Sequence, residues 1–369
     1  TNHCILSFDG INWHTLINNT CTYDPCVFNS SLLDTKGRIW FTSGTAFICF
    51  IDGYAYTSYG GAQGRGECCT INQNGDLWFG GASGLVKYDQ INWTTIKIPS
   101  LFETYNSSLK LLLCDSENNL WFTGSKLYKY TGYEWEVLNY PNSLINLGNS
   151  TKIYEDQQKN IWFGGTYGLI KYDGNNFVLY NTTNGLPNNS VVDINSDLQG
   201  NIWIATASSG IAKFNGSNFS IYNTSNSGLA SNSVNNIIID EQNNKWFTTS
   251  GNGVIKYNGS TWTTYKTPTG TGNNYFNKVL IDTTGEKWFI RSGVGIARYN
   301  EISWTEYTTA DGLISNSING IFFDKQHNIW AYSNSGVSKF NGSTWTSYTT
   351  ANGLANNYIN SGIADNDGN

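Results

Sequence analysis

A tryptophan returns along the chain at a nearly constant interval, and this repeat constrains the fold more than any other feature. It stands in short segments of the type Ile-Trp-Phe at Trp40, Trp78, Trp121, Trp162, Trp203, Trp246, Trp288 and Trp330. Successive positions are 38, 43, 41, 41, 43, 42 and 42 residues apart. Self-similarity at a fixed period of this size indicates one supersecondary unit that is stacked many times.

Each period contains four short segments that are typical of β-strands. In the unit 233–265 these segments cover about 234–240, 245–249, 253–257 and 261–265; they are rich in β-branched and aromatic residues and bounded by Gly, Asn and Asp. No segment has a convincing helical period, which excludes a helical solenoid, and a β-sandwich would not keep so strict a repeat. Four antiparallel strands in about 42 residues predict an all-β fold, a β-propeller of four-stranded blades.

The repeat predicts a single propeller domain over residues 1–369. Residues 1–17 supply an N-terminal half-unit, eight repeat units occupy about 18–350, and 351–369 supply a C-terminal strand. Sharing one unit between the termini would protect the sheet edges. This favours eight blades, with nine blades or a segment of a longer array as alternatives.

A Lys or Arg precedes the third-strand aromatic in seven of the eight units, and an Asp or Asn ends each first strand. We expect each cation to lie on the tryptophan of its blade and to pair with the turn Asp, as Lys256 would with Asp240. The alternative is a ring of cations that binds an anionic ligand.

Composition excludes some partners. The net charge is −6, the pI is about 5.1 and basic residues are not clustered, so we do not expect nucleic acid binding. No run of about 18 apolar residues predicts a membrane span. The chain contains no Met, so we expect a mature or excised segment.

Cysteines and sequons favour an extracellular or periplasmic location. All seven cysteines lie in the first third of the chain, which predicts disulfide bonds there and leaves at least one cysteine over. The chain has twelve Asn-x-Ser/Thr sequons. The candidate glycosylation sites are Asn92, Asn149, Asn181, Asn215, Asn258 and Asn341.

A second pattern lies between units. It reads Asn-Gly-Leu-Pro-Asn-Asn-Ser-Val at 184–191, and variants recur at 227–234, 311–318 and 352–359. Together with the following Asp-x-x-Gly-Asn-Ile-Trp, it resembles the two-component regulator propeller repeat. That resemblance implies the extracytoplasmic sensor region of bacterial hybrid histidine kinases, many of which recognise polysaccharide fragments. The Ile-Trp-Phe strand is also similar to streptogramin-lyase-type propellers, which implies His and acidic residues that hold a divalent metal.

The residues themselves predict no catalytic group, no cofactor and no metal site. The three histidines, His3, His14 and His327, are scattered over the chain, and no Gly-x-Ser-x-Gly elbow occurs. The Asp-x-x-x-Asn turns offer one carboxylate each, whereas Ca²⁺ takes six or more oxygens. We therefore do not expect an enzyme.

Residues that break the repeat, in the loops between blades and between second and third strands, are the best candidates for ligand binding. Tyr, Trp, Asn, Asp and Arg side chains suit sugars, which present apolar faces and many hydroxyls. The candidates are Arg65, Glu67, Phe102, Glu103, Tyr105, Tyr167, Tyr275, Phe276 and Arg291.

The sequence thus predicts a non-catalytic propeller that binds a glycan as a sensor or adhesion domain, with a polysaccharide or a cell-surface protein as partner. One alternative is a structural subunit of a surface layer or filament that self-associates through the incomplete terminal blade. The other alternative is a lyase-type propeller enzyme.

Overall fold

The computed structural model describes residues 4–8, 12–18, 28–43, 48–52, 55–59, 68–81, 84–96, 110–123, 127–138, 152–266, 274–291, 293–354, 356–359 and 361–364. These residues form 34 β-strands and two short 3-10 helices. The strands make eight four-stranded sheets and one two-stranded sheet, and strands that follow each other in the chain pair antiparallel. The predicted all-β fold with four-stranded propeller blades is confirmed.

The chain divides into two compact units, and the first combines Thr1–Tyr140 with Asn319–Asn369. Its N-terminal hairpin is β1 (Cys4–Phe8) and β2 (Trp13–Asn18). Its blades are β3 (Phe28–Leu33), β4 (Ile39–Ser43), β5 (Ile48–Asp52), β6 (Ala55–Tyr59); β7 (Cys68–Ile71), β8 (Leu77–Gly81), β9 (Gly84–Tyr88), β10 (Trp93–Ile96); β11 (Lys110–Cys114), β12 (Leu120–Thr123), β13 (Leu127–Tyr130), β14 (Trp135–Leu138); and β31 (Ile318–Phe323), β32 (Ile329–Ser333), β33 (Gly336–Phe340), β34 (Trp345–Tyr348).

The second unit is Pro141–Ile318 and contains four blades. They are β15 (Lys152–Glu155), β16 (Ile161–Gly165), β17 (Gly168–Tyr172), β18 (Phe177–Tyr180); β19 (Val191–Ser196), β20 (Ile202–Thr206), β21 (Ile211–Phe214), β22 (Phe219–Tyr222); β23 (Val234–Ile239), β24 (Lys245–Thr249), β25 (Val254–Tyr257), β26 (Trp262–Tyr265); and β27 (Phe276–Ile281), β28 (Lys287–Arg291), β29 (Gly295–Tyr299), β30 (Trp304–Tyr307). In the β23–β26 blade the observed strands agree with the prediction to within one residue.

In seven blades the repeated Asp accepts a hydrogen bond from the indole N–H of the repeated Trp, and we call this arrangement the Asp–Trp turn. In the β15–β18 blade, Asp156 Oδ1 accepts the backbone N–H groups of Gln158 and Asn160, both at 2.9 Å. Asp156 Oδ2 accepts the indole N–H of Trp162 at 2.7 Å. The carboxylate therefore closes the first hairpin and also satisfies the polar atom of the buried tryptophan.

Within each unit, repeat tryptophans pack against the neighbouring blade. Trp203 lies 5.7 Å from the Tyr257 ring and Trp246 lies 5.7 Å from the Tyr299 ring. Both indoles are buried, so large aromatic surfaces fill the space between neighbouring sheets, as expected.

The cations lie on these tryptophans. Lys256 Nζ is 4.9 Å from the Trp246 ring centroid, and corresponding contacts of 4.9–5.8 Å occur in the other six units that carry the cation. The expected pairing of Lys256 with Asp240 is wrong, because Lys256 pairs with Glu301 at 3.1 Å. The oxygens of Asp240 instead accept from Trp246 and Asn244.

The Gly-Leu-x-x-Asn pattern is also structural. Leu186, Leu229, Leu313 and Leu354 are all buried. The side-chain oxygen of the Asn at the end of the pattern accepts a backbone N–H of the same loop, for example Asn316 from Thr309 at 2.9 Å. Two of these loops contain the 3-10 helices Thr309–Asp311 and Thr350–Asn352. The residues that carry the resemblance thus hold the loops in place.

The N-terminal hairpin and the C-terminal segment both contact the β31–β34 blade. The Trp13 ring lies 5.6 Å from Tyr348 and 6.1 Å from Trp330. The Ile359 N–H donates to the Ser333 carbonyl oxygen at 3.0 Å. Both segments belong to the first unit, so they pack within one compact body.

Candidate functional site

The structure places four of the predicted ligand-binding residues, which are Tyr167, Tyr275, Phe276 and Arg291, in the second unit. Tyr167, Tyr275 and Arg291 all lie at the edge of a blade where its first strand begins and its second strand ends. The other predicted residues, Arg65, Glu67, Phe102, Glu103 and Tyr105, lie outside the described residues.

Tyr167 occupies the tight turn between β16 and β17. A Cβ atom added at Gly165 would lie 2.7 Å from the Tyr167 ring, so the ring is folded back over this glycine. The side chain is half-buried. Tyr167 therefore packs on its own turn and presents only part of its ring to a ligand.

The register of the β27–β30 blade brings Phe276, the residue after Tyr275, onto Arg291. Phe276 pairs with Arg291 across the first two strands, and Tyr275 directly precedes Phe276. Tyr275 is half-buried, whereas Phe276 is fully buried in the core with Val279 and Phe289. The prediction that Phe276 forms part of a surface site is wrong, because its side chain points between the blades.

Arg291 is buried with 1% of its surface exposed, although its position in the repeat predicted a loop residue. Its Nη1 donates to Glu306 Oε1 at 3.0 Å, and its guanidinium carbon lies 5.6 Å from the Phe276 ring centroid. Burial lowers the pKa of the Arg291 guanidinium, and Glu306 counteracts this. The charge is thus held by one carboxylate and one aromatic face.

The remaining edge of this guanidinium is unsatisfied. Arg291 Nε and Nη2 are buried and have no hydrogen-bond partner among the residues that the structure describes. These atoms carry the parallel N–H groups of the side-on fork that arginine uses for planar two-oxygen acceptors. Each buried donor left unsatisfied costs about 1–3 kcal/mol, so such an edge is unusual in a native core.

Glu306 is the functional candidate that sequence reasoning missed. It lies on β30 opposite Ala297, and its side chain is 14% exposed. The corresponding residues of the other blades are uncharged: Ser58, Thr95, Val137, Leu179, Ile221, Thr264 and Ser347. Arg291 also replaces small residues, which are Ser, Gly or Thr in the other blades. The sequence signal that could have identified the site was the presence, within one unit, of two charged residues at repeat positions that are uncharged in the other blades.

The lyase-type alternative would require a group of side chains that hold a divalent metal ion. Within the described ranges, no cluster of three or more His, Cys, Asp or Glu side chains is arranged to hold a metal ion. His14 lies on β2, and His327 is exposed in the turn between β31 and β32. The search of the described residues also found no helix with the length and apolarity to cross a membrane.

Two cysteines of the described region, Cys69 and Cys114, do not take part in a disulfide bond. The side chains of the other five cysteines lie outside the described residues. Disulfide bonds in the first third of the chain therefore stay a prediction.

Four of the candidate glycosylation sites stand at exposed tips of hairpins between third and fourth strands: Asn92, Asn215, Asn258 and Asn341. In Asn215 the side-chain oxygen accepts two backbone N–H groups, at 3.0 and 2.8 Å. The amide nitrogen, which N-glycosylation modifies, is not used in these bonds. Asn181 is half-buried and Asn149 lies outside the described residues.

No family model and no curated protein matches the chain. Among solved structures it is similar to the extracellular domain of a hybrid two-component system from B. thetaiotaomicron, with 21% identity, a TM-score of 0.48, and coverage of 92% of this chain and 54% of the other. A second B. thetaiotaomicron extracellular domain, from a one-component system, has 20% identity, a TM-score of 0.45, and coverage of 91% and 50%. The chain thus spans about half the length of these two proteins.

The chain is also similar to a catalytically inactive virginiamycin B lyase from Staphylococcus aureus in a structure with quinupristin. The identity is 18%, the TM-score is 0.50, and the match covers 84% of this chain and 92% of the lyase. At this identity the similarity shows the β-propeller fold and no more. The structural neighbours include both kinds of protein that the sequence resembles.

Proposed function

We propose that this chain is an extracytoplasmic, non-catalytic propeller that binds a glycan as a sensor or adhesion domain. The observation that carries the proposal is the buried Arg291 of the β27–β30 blade, whose Nε and Nη2 have no hydrogen-bond partner among the described residues; the half-buried Tyr275 precedes its strand partner Phe276. A saccharide supplies oxygens for the N–H groups and an apolar face for the tyrosine ring.

Two further features support this proposal. The Gly-Leu-x-x-Asn loops and the Asp–Trp turns are scaffold, so binding specificity is expected where one blade departs from them. The exposed sequons suit a secreted or surface location, where N-glycosylation takes place in eukaryotes and in some bacteria. Sensing and adhesion both require only reversible binding, which fits a site without a nucleophile or a general base.

The test is a glycan array followed by calorimetry. We expect at least one saccharide to bind the wild-type chain, and Tyr275→Ala to weaken this binding roughly fivefold, which corresponds to about 1 kcal/mol for one aromatic contact. The matched control is Tyr358→Ala, because Tyr358 is 56% exposed and belongs to the other unit. Absence of binding to every saccharide would refute the proposal, and equal effects of the two substitutions would refute the location.

A further inference from the structure

The unsatisfied fork of Arg291 defines a chemical class of ligand. Nη1 is already occupied by Glu306, which leaves the Nε and Nη2 edge without a partner among the described residues. This edge offers two parallel donors in one plane. The acceptor that matches it best is a carboxylate, whose two oxygens take both hydrogen bonds at once.

We infer that this site binds the carboxylate of an acidic sugar, a hexuronate unit of a glycan. The inference rests on the proposed glycan-binding function and specifies its substrate class. Two charge-assisted hydrogen bonds in a place shielded from water would be stronger than the bonds to neutral hydroxyl groups.

The location permits such contact. Glu306 keeps 14% of its side chain exposed, Gly293 is exposed two residues after Arg291, and Asn277 is exposed directly after Phe276. Exposed residues therefore follow both Arg291 and its strand partner Phe276 in the chain, although the guanidinium itself is covered. Entry of a carboxylate requires local rearrangement of side chains, because Arg291 itself is almost completely covered.

The electrostatics explain why an arginine is needed. The chain carries a net charge of −6, so it repels acidic ligands in general. Glu306 neutralises Arg291 but contacts the opposite end of the guanidinium from the free fork. A carboxylate on the fork would share the cation with Glu306 while it satisfies both remaining nitrogen atoms. Selectivity for a carboxylate then comes from the geometry of the hydrogen bonds to Arg291 rather than from the net charge of the chain.

The experiment compares methyl β-D-glucuronide with methyl β-D-glucoside and N-acetylglucosamine by calorimetry at one ionic strength. We expect the wild-type chain to bind the glucuronide about tenfold more tightly than either neutral sugar. Arg291→Lys keeps the positive charge and removes the fork, and should abolish this preference. Glu306→Gln keeps the fork and removes a negative charge, and should leave the glucuronide affinity unchanged or raise it.

Each outcome decides the inference. It is overturned if the glucuronide binds no better than the neutral sugars, or if folded Arg291→Lys keeps the preference; circular dichroism and the melting temperature establish folding. If Arg291→Lys does not fold, the wild-type comparison still decides, and a folded Glu306→Gln variant that loses the glucuronide preference would also overturn the inference. Array binding of neutral glycans without a glucuronide preference would refute this inference and leave the proposed function intact. Absence of all glycan binding would refute both.

Discussion

The β7–β10 blade lacks the carboxylate that accepts the tryptophan indole N–H in the other seven blades. This exception gives a quantitative test of how much the Asp–Trp turn stabilises a blade. Asn72 stands in place of the turn Asp. Its Oδ1 still accepts two backbone N–H groups, from Asn74 at 3.0 Å and Asp76 at 2.8 Å. Its Nδ2 donates to Asp76 Oδ2 at 3.1 Å. The buried indole nitrogen of Trp78 is left without a hydrogen-bond partner among the described residues.

The proposed perturbation is the double substitution Asn72→Asp with Asp76→Asn, which exchanges the two side chains. It recreates the arrangement of Asp156 and Asn160, in which the carboxylate accepts the indole N–H at 2.7 Å and the amide of Asn160 at 2.8 Å. Asn72→Asp alone would be less favourable, because it would place two carboxylates side by side.

The expected gain follows from the bonds exchanged. A hydrogen bond to a charged acceptor contributes about 1.5–3 kcal/mol to the free energy of unfolding. The exchange also removes the ion pair between Lys87 and Asp76 at 2.8 Å, which is partly exposed and contributes at most about 1 kcal/mol. The net stabilisation should be about 1–2 kcal/mol, which corresponds to a rise of roughly 1–3 °C in the melting temperature of a chain of this length.

The assay is urea unfolding followed by tryptophan fluorescence, with the melting temperature as an independent measurement. The mirror-image control is Asp156→Asn with Asn160→Asp, which converts an ordinary blade to the Asn72 arrangement and should cost a similar free energy. The reasoning is refuted if the exchange at Asn72 and Asp76 does not raise stability, or if the control does not lower it, since the carboxylate would then not be what the indole requires.

Three further predictions follow from other parts of the structure. Gly210→Ala should lower the free energy of unfolding by about 3 kcal/mol or more, because φ is +86° and the new Cβ would lie 2.2 Å from the Tyr222 carbonyl oxygen. The control Gly216→Ala, with φ +95° and open space around the new Cβ, should cost about 1 kcal/mol. Equal costs of the two substitutions in urea unfolding would contradict the clash. Burial acts to raise the pKa of Asp197, but hydrogen bonds from Trp203 and Asn201 bring this pKa below the ordinary 3.8. The carboxylate therefore stabilises the fold above that pH, and its contribution is lost as the pH falls. Asp197→Asn should accordingly reduce the drop in melting temperature between about pH 5 and pH 2. Treatment with EDTA should leave the melting temperature unchanged, and elemental analysis of the purified chain should find no stoichiometric divalent metal; a bound metal would instead favour the lyase-type alternative.

The sequence predicted the scaffold well because its signals are local and repeated. The spacing of Asp and Trp, the turn residues and the alternation of aromatic side chains each recur in nearly every unit, so an error in one unit is corrected by the others. The partner of the turn Asp was predicted wrongly for a physical reason. Asp240 Oδ2 is occupied by the Trp246 indole and by the ammonium of Lys287 at 3.8 Å, which the next blade supplies, so Lys256 pairs with Glu301 instead.

The candidate site was predicted only in part, because burial and register across strands are tertiary properties. Arg291 stood out as a departure from the repeat, but its covering and its contact with Glu306 depend on a partner 15 residues away on another strand. Ala297, which lies opposite Glu306, has a small counterpart in Ala212, where no charged pair occurs, so this position gave no signal of the pair.

The two departures in the β27–β30 blade are more informative together than either is alone. A single arginine in a repeat that otherwise carries Ser, Thr or Gly could be a neutral change on a solvated loop. A buried arginine is costly, and Glu306 compensates only one of its three nitrogen atoms. Stability alone would be served better by the small residues that the other blades keep, or by a carboxylate placed on the fork. Retention of an arginine with its best recognition edge unused therefore favours a ligand as the missing partner.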